Sequence, residues 1–173
     1  MGDEMLPDYD AEAIARVMGL RFRPKKTGAE ALVDAERAGV GGLRRVLEAS
    51  YVLIEKAVEA GLPRHALRHV AESLAGGDKS KIAALESGVV PKTTLERRKG
   101  KQLSLEESER TERIARLFVH ATRALGTEDE AREFMTTPHP LLDGRSPFEE
   151  AKTDLGARRV EGILHGVEYG LAL

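Results

Sequence analysis

One helix-initiation signal occurs four times in the sequence and constrains the fold more than any other feature. In this signal, the capping box, a Ser or Thr hydroxyl accepts a hydrogen bond from the backbone three residues later, and a Glu there bonds back to the cap. Alternating β-branched runs, which indicate strands, are missing, and aromatic residues are only 4% of the chain. The sequence therefore predicts an all-α fold. The pairs are Thr27 with Glu30, Ser104 with Glu107, Thr127 with Glu130, and Ser146 with Glu149.

Apolar spacing, together with the positions of glycine and proline, sets the predicted helix boundaries. Pro147 follows the last capping box at the first helical position, where its missing N–H does no harm. Helices are predicted over 10–19, 28–38, 43–60, 63–75, 79–87, 91–99, 104–125, 128–136, 147–152 and 154–169.

Three of these helices carry an apolar stripe that we expect to be buried. The stripes consist of Leu43, Val46, Leu47, Ile54, Ala57 and Val58 in the third helix, Leu105, Ile114, Leu117, Phe118, Ala121 and Leu125 in the long helix, and Leu155, Val160, Ile163, Leu164 and Val167 in the last.

Composition excludes several classes of protein. The 173 residues are 41% hydrophobic and 32% charged, which suits a globular chain with a solvated surface. There are no cysteines, so disulfides and thiolate chemistry are excluded. The acidic start "MGDEMLPDYD" lacks a signal-peptide pattern, and no apolar run approaches the roughly 18 residues of a membrane span. We therefore expect a soluble cytoplasmic protein without a membrane partner.

Charge is divided unevenly along the chain. Between Pro91 and Lys101 there are five basic residues and one acidic residue, whereas from Gly126 onward there are five basic and ten acidic residues. The middle can approach a polyanion that the C-terminal third would repel. This division indicates two different partners.

The segment "SKIAALESGVVPKTTLERRKG" has the pattern of a helix-turn-helix unit, although Leu95 sits one residue later than usual. Ala84 would let the two helices approach, Gly88 would take the turn, and Pro91 would open the second helix. In such units the second helix enters the major groove of DNA. The alternative is a solvated basic face on an ordinary helical hairpin. The predicted DNA contacts are Lys92, Thr93 and Thr94 at base edges, and Arg97, Arg98 and Lys99 at phosphates.

Catalytic and metal-binding patterns are weak. His65 and His69 lie four residues apart with Glu72 on the same side, but Ala66 stands where a hydrolytic zinc site requires glutamate. Surface histidines are the favoured interpretation, and no arrangement of Ser, His and Asp selects a catalytic triad. The sequence thus predicts no enzyme activity, no metal and no cofactor.

The last helix is predicted to end at Gly170, which can adopt the left-handed conformation. Leu171, Ala172 and Leu173 follow, and they either fold back onto the core or project from the helix.

Several motifs in succession resemble the Xre/MbcA/ParS group of antitoxins, from about Gly61 to Gly170. They are Leu103-Ser104 with Glu107-Ser108, the loop Pro138…Leu142…Gly144…Pro147, and Thr153-Asp154-x-Gly156-Ala157-Arg158. The sequence departs from the group where Phe134-Met135 replaces a Trp-Leu pair, His139 replaces Asn, and Asp143-Gly144 replaces Gly-Gly.

The resemblance implies an antitoxin whose helix-turn-helix half represses its own operon and whose C-terminal half binds a RES-domain toxin that consumes NAD. It also implies a homodimer and a C-terminal segment that blocks the toxin's active-site cleft. We accordingly divide the chain into an N-terminal arm (1–60), with possible dimerisation through the helix at 43–60, a helix-turn-helix region (61–103) and a toxin-binding domain (104–173). The expected toxin contacts are Arg158, Glu161, His165, Glu168, Tyr169, Gly170, Leu171, Ala172 and Leu173.

Three other functions stay open at this point. A stand-alone transcriptional regulator would use its C-terminal half only to dimerise and would not bind a toxin. A centromere-type DNA-organising protein would bind tandem sites and spread along DNA. An enzyme would require a convergent polar pocket, which the sequence does not indicate.

Overall fold

The structure, a computed structural model, describes residues 9–20, 51–97 and 102–170. Every regular element in these ranges is helical, which confirms the all-α prediction. None of the described helices is both long and apolar enough to cross a membrane. In chain order the elements are α1 (Ala11–Val17), α2 (51–59), α3 (Arg64–Ala75), α4 (Lys79–Val89), α5 (Lys92–Arg97), α6 (Leu105–Leu125), α7 (Glu128–Thr136), a 3-10 turn (Pro140–Leu142), α8 (Pro147–Glu150) and α9 (Asp154–Glu168).

Helix α6 is the centre of the fold, because α1, α3, α4, α7 and α9 all pack against it. Its buried side chains Ile114, Leu117 and Phe118 belong to a hydrophobic cluster that receives residues from α1 through to α9. A smaller cluster of Ala71, Ala75 and Ile82 joins α3 to α4. Burial of this apolar surface is the main force that holds the helices together.

The predicted capping boxes begin helices where the sequence placed them, with one difference. Both reciprocal bonds are present at Ser104–Glu107 and at Ser146–Glu149. Thr127 accepts a bond from the Glu130 backbone, but the Glu130 carboxylate binds the Thr127 hydroxyl rather than the cap backbone. Only half of that box forms. The pair Thr27–Glu30, like the predicted helix at 28–38 and residues 43–50 of the next helix, lies outside the described residues.

The connection into α6 shows what the Leu103-Ser104…Ser108 motif does. The Leu103 amide donates to the Leu62 carbonyl at 2.9 Å, and the Leu62 amide donates to the buried Ser108 Oγ at 2.9 Å. Since buried backbone groups must be paired, this exchange fixes the segment before α3 to the first turns of α6. The motif is therefore structural.

The buried stripes are confirmed at most of their described positions and wrong at three. Leu105, Leu155 and Val167 are 52%, 77% and 38% exposed, whereas Val160, Ile163 and Leu164 are buried. Leu155 precedes Val160 by five residues, and a spacing of five turns a helix by about 140° away from the same face. Leu105 is the first residue of α6, and Val167 lies in the last turn of α9.

The turn chemistry predicted for the helix-turn-helix segment is wrong. Helix α4 continues through Gly88 to Val89, and Gly88 does not have a positive φ. A Cβ at Gly88 would lie 2.9 Å from the Phe148 ring, so this glycine allows α8 to approach α4. Ala84 is exposed, so it does not lie in a contact between two helices as predicted. The chain instead turns at the extended Val90 and at Pro91, before α5 begins.

Candidate functional site

A row of charged and polar side chains runs between α6 and α9. Arg116 forms an ion pair with Glu161, and one turn further along both helices the His120 and His165 rings lie with centroids 4.8 Å apart. His120 Nε2 lies 3.2 Å from Glu168 Oε2 in the last turn of α9. Because partners advance by about one turn on both helices, the helices are parallel at this contact. We call this row the α6–α9 polar seam.

The seam continues at both ends. Beyond His120, Arg123 Nε donates to Glu168 Oε1 at 2.6 Å. At the other end, Arg116 Nε lies 3.4 Å from Glu112 Oε1, and the Tyr9 hydroxyl donates to the same oxygen at 2.8 Å. The Tyr9 ring in turn makes an edge contact with the ring of Tyr51 on α2. The seam thus links α1, α2, α6 and α9.

Burial and pairing shift the protonation equilibria along the seam. Burial lowers the pKa of His120 despite its bond to Glu168, so the ring is neutral at pH 7. The hydrogen bond from Arg123 lowers the pKa of Glu168, which is therefore a carboxylate. Burial raises the pKa of Glu112 above its ordinary value, although Arg116 and Tyr9 oppose the shift. Among these three groups, Glu112 is the one whose ionised form is disfavoured in the folded protein, because burial removes water from its carboxylate.

A groove of about 720 Å³ runs beside the seam. Acidic and basic side chains share its walls, with Ile54 and Val58 of α2 as apolar parts. The groove can therefore accept a mixed polar and apolar peptide surface. Its charged and histidine lining consists of Glu55, Glu59, Glu109, Glu112, Arg113, Arg116, His120, Asp154, Arg158, Glu161 and His165.

Helix α9 is positioned by the Thr153-Asp154-x-Gly156-Ala157-Arg158 motif. The Thr153 side chain caps the helix by accepting from the Gly156 amide at 3.0 Å. Gly156 lies directly against the Glu150 carbonyl, and Ala157 is fully buried. Asp154 pairs with Arg158 one turn later at 3.0 Å. The motif therefore fixes the start and the tilt of α9.

The loop before α9 is held by a buried carboxylate. Glu150 accepts bonds from Arg145 at 3.2 Å and from Arg159 at 3.3 Å, and its side chain is only 5% exposed. Arg159 also binds Asp143 at 2.8 Å. Since a buried charge needs compensation, these pairs tie the loop to α9.

The outer face of α9 is exposed and partly apolar. Leu155 and Tyr169 are 77% and 73% exposed, and Gly162 between them has open space around its Cα. Leu155, Gly162 and Tyr169 follow one another at intervals of seven residues, so all three lie near one side of the helix. The two large side chains are about 21 Å apart along the helix, so this face offers two separate points of contact to a partner.

The structure brings together four of the predicted toxin contacts. Arg158, Glu161 and His165 line the groove, and Glu168 continues the same stripe of α9. Glu161 and Glu168 are already paired with arginines of α6, so this stripe is partly occupied by the protein itself. Tyr169 is on the outer face, and Gly170 has φ +62, as predicted for a helix end. Leu171, Ala172 and Leu173 lie outside the described residues.

The predicted DNA contacts lie at and beyond α5. Lys92, Thr93 and Arg97 are exposed, and Thr94 is half-buried beside the buried Leu95. Arg98 and Lys99 lie outside the described residues. Lys92 and Arg97 are thus exposed basic residues at the two ends of this short helix, with the acidic Glu96 exposed as well.

The α6 half of the seam was not predicted from the sequence. Glu112, Arg116 and His120 follow one another at intervals of four residues, which places them on one face of α6. The stripe Glu161, His165 and Glu168 has matching helical spacing. These two complementary polar stripes, on the two longest amphipathic helices described, could have predicted from sequence that the helices pack against each other.

One segment of the chain matches a known protein family. No curated protein matches the chain. A family model matches residues 120–170, less than a third of the chain, and this segment contains α7, α8, α9 and the last turns of α6. The matched family is the antitoxin Xre/MbcA/ParS C-terminal toxin-binding domain, so residues 120–170 are similar to a domain by which antitoxins bind toxins.

Proposed function

We propose that this protein is an antitoxin that neutralises a cognate toxin through the domain formed by residues 120–170. The match of that segment to a toxin-binding domain is the observation that carries the proposal. The exposed face of α9, with Leu155 and Tyr169, supplies a contact surface of suitable chemistry. Its capped start and its pairs with α6 hold this face in place before binding, which lowers the entropy lost on docking.

The toxin of this proposal is a RES-domain enzyme that consumes NAD, and the segment after α9 enters its active-site cleft. Gly170 ends the helix in a left-handed conformation, which does not continue an α-helix. Tyr169 at this point would contact the entrance of the cleft. The resemblance of the motifs to the RES-associated antitoxins is the support for this part.

Tyr169→Ala and Leu155→Arg are each expected to weaken binding of the purified toxin by about 10- to 100-fold, as loss of a central contact does. The toxin is the product of the adjacent gene, co-expressed with the antitoxin and then separated from it. The Kd is measured by titrating each antitoxin variant into this toxin. Ala84→Arg, which adds the same charge to an exposed position of α4, is the control and should bind normally. Unchanged affinity for both α9 variants would remove this face from the interface.

Deletion of residues 170–173 tests insertion separately from docking. The truncated protein should still bind the toxin through α9 but should no longer stop NAD consumption. Full inhibition by the truncated protein would show that the segment does not enter the cleft.

The proposal includes repression of its own operon by a homodimer through residues 61–103. The exposed basic residues Lys92 and Arg97 support DNA contact, because they can neutralise phosphates. On α2, Tyr51, Val52 and Leu53 are exposed apolar residues next to one another. They support self-association through the N-terminal arm.

Replacing Arg97 and Arg98 with Ala should weaken binding to DNA from upstream of the operon. It should also reduce the slope of log K against log salt by about 3.6, since the homodimer loses four phosphate contacts and each removes about 0.9. The measurement is fluorescence anisotropy over a range of salt concentrations. Arg16→Ala with Lys152→Ala removes the same charge elsewhere and should leave the slope nearly unchanged. Equal slopes for the test variant and the parent would exclude the two arginines from the DNA interface.

A further inference from the structure

Two imidazoles and a carboxylate meet where the last turns of α6 and α9 lie side by side. One nitrogen each from His120 and His165 and one oxygen from Glu168 all lie within 4.8 Å of one another. His120 Nε2 and Glu168 Oε2 are 3.2 Å apart. Within the described residues, no other three His, Asp or Glu side chains converge in this way.

This ligand set and its dimensions suit Zn²⁺. Zinc binds imidazole nitrogen and carboxylate oxygen at about 2.0–2.2 Å in a tetrahedron, so its ligand atoms are about 3.3 Å apart. The His120–Glu168 pair already has this separation. The remaining ligand atoms must approach by up to about 1.5 Å, from within 4.8 Å to about 3.3 Å, through movement of the half-buried side chains of His165 and Glu168.

The surroundings orient the ligands. Arg123 Nε donates to Glu168 Oε1 at 2.6 Å and Arg123 Nη2 donates to Oε2 at 3.3 Å, and this pair of bonds holds the carboxylate with Oε2 facing His120. Such support of a ligating carboxylate by a neighbouring donor is common around metal ions. The His120 side chain is only 7% exposed and is held between the two helices. The positions of two of the three ligands are thus restricted before any ion binds.

We propose that His120, His165 and Glu168 form a zinc site with three protein ligands and a fourth position open to the groove. Both histidines line that groove, so water can occupy the fourth position. The ion would join the ends of α6 and α9 directly before Tyr169 and Gly170. His165 and Glu168 are also expected toxin contacts, but binding of the ion requires neither toxin nor DNA, so the isolated protein is sufficient to test it.

The test uses tag-free full-length protein stripped of metal and titrated with Zn²⁺ in a calorimeter and with Co²⁺ in a spectrophotometer. We expect one ion per chain and the visible absorption of four-coordinate cobalt. At a hundredfold excess of Zn²⁺ over its Kd, the melting temperature should rise by roughly 5 to 10 °C.

His165→Gln and Glu168→Gln should each reduce zinc affinity by at least about 100-fold, more than loss of a supporting residue does. His65→Ala breaks the other histidine pair of the chain, His65–His69, and should leave affinity unchanged. Circular dichroism of each variant without metal separates loss of a ligand from loss of the fold. The proposal is overturned if the parent does not bind one equivalent, or if His65→Ala abolishes binding while His165→Gln and Glu168→Gln preserve it.

Discussion

Gly156→Ala should lower the free energy of unfolding by about 3 kcal/mol or more, at the upper end of the range for overpacked sites. A Cβ at this position would lie 2.0 Å from the Glu150 carbonyl oxygen. That atom is backbone, so the clash cannot be relieved by rotating a side chain. The start of α9 would have to move away from α8, and the bonds that Glu150 makes with Arg145 and Arg159 would weaken with it.

Gly162→Ala is the matched control on the same helix. No atom lies within 4 Å of a Cβ at Gly162, and alanine favours a helix interior by about 0.5–1 kcal/mol over glycine. Chemical denaturation of both variants should therefore give shifts of opposite sign. Equal stability of Gly156→Ala and the parent would contradict the close α8–α9 contact.

The contact between Gly156 and Glu150 explains a motif that the sequence shows without its structural reason. Thr153, Gly156 and Arg158 belong to a motif of the sequence, and a helix is predicted from residue 154. The reason for Gly156 is a backbone atom of Glu150 in another element, and no local pattern reveals such an approach. The same holds for Gly88, which was predicted to form a turn and instead makes room for Phe148.

The departures from the family pattern have local explanations as well. His139 Nδ1 accepts from the Leu141 amide at 3.2 Å, the bond that an Asn side chain would make in the same turn. Asp143 has φ +56, a conformation that favours glycine, and its carboxylate binds Arg159. The ion pair offsets part of the backbone strain. These substitutions preserve the loop.

Local signals predicted the helices well, whereas the site depended on how the helices pair. Caps, prolines and glycines act within a few residues, so Ser104, Ser146 and Gly170 could be assigned from sequence. The α6–α9 polar seam needs the register between two helices distant in sequence. Sequence alone therefore selected the α9 residues of the seam without their partners on α6.

Arg116→Met should cost about 3 kcal/mol of unfolding free energy near pH 8, because it removes the cation from two partly buried carboxylates. The side chains of Arg116, Glu112 and Glu161 are 25%, 16% and 24% exposed. Methionine keeps most of the apolar stem and the helix propensity of arginine. The expected loss is thus mainly electrostatic.

The decrease in the free energy of unfolding caused by Arg116→Met should depend on pH, because the protonation of Glu112 depends on pH. Its pKa is raised in the folded protein, so the unfolded chain releases this proton at lower pH than the folded one does. The contribution of Glu112 to the free energy of unfolding is fully present below the pKa of the unfolded chain. It falls as the pH rises from there toward the higher pKa of the folded protein. Without Arg116 the folded pKa rises further, because the neighbouring cation no longer favours the carboxylate. The penalty of Arg116→Met should therefore be smaller at pH 5 than at pH 8.

Urea denaturation at both pH values, with Glu112→Gln alone and combined with Arg116→Met, isolates the Glu112 contribution. The glutamine amide oxygen can still accept the Tyr9 hydroxyl, but it carries no charge to desolvate. In the Glu112→Gln background, Arg116→Met should cost less at pH 8, and the cost should change little with pH. A penalty in the parent background that is equal at pH 5 and pH 8 would mean that Glu112 is not the destabilised charge. In that case the cost would come from packing of the arginine stem between α6 and α9.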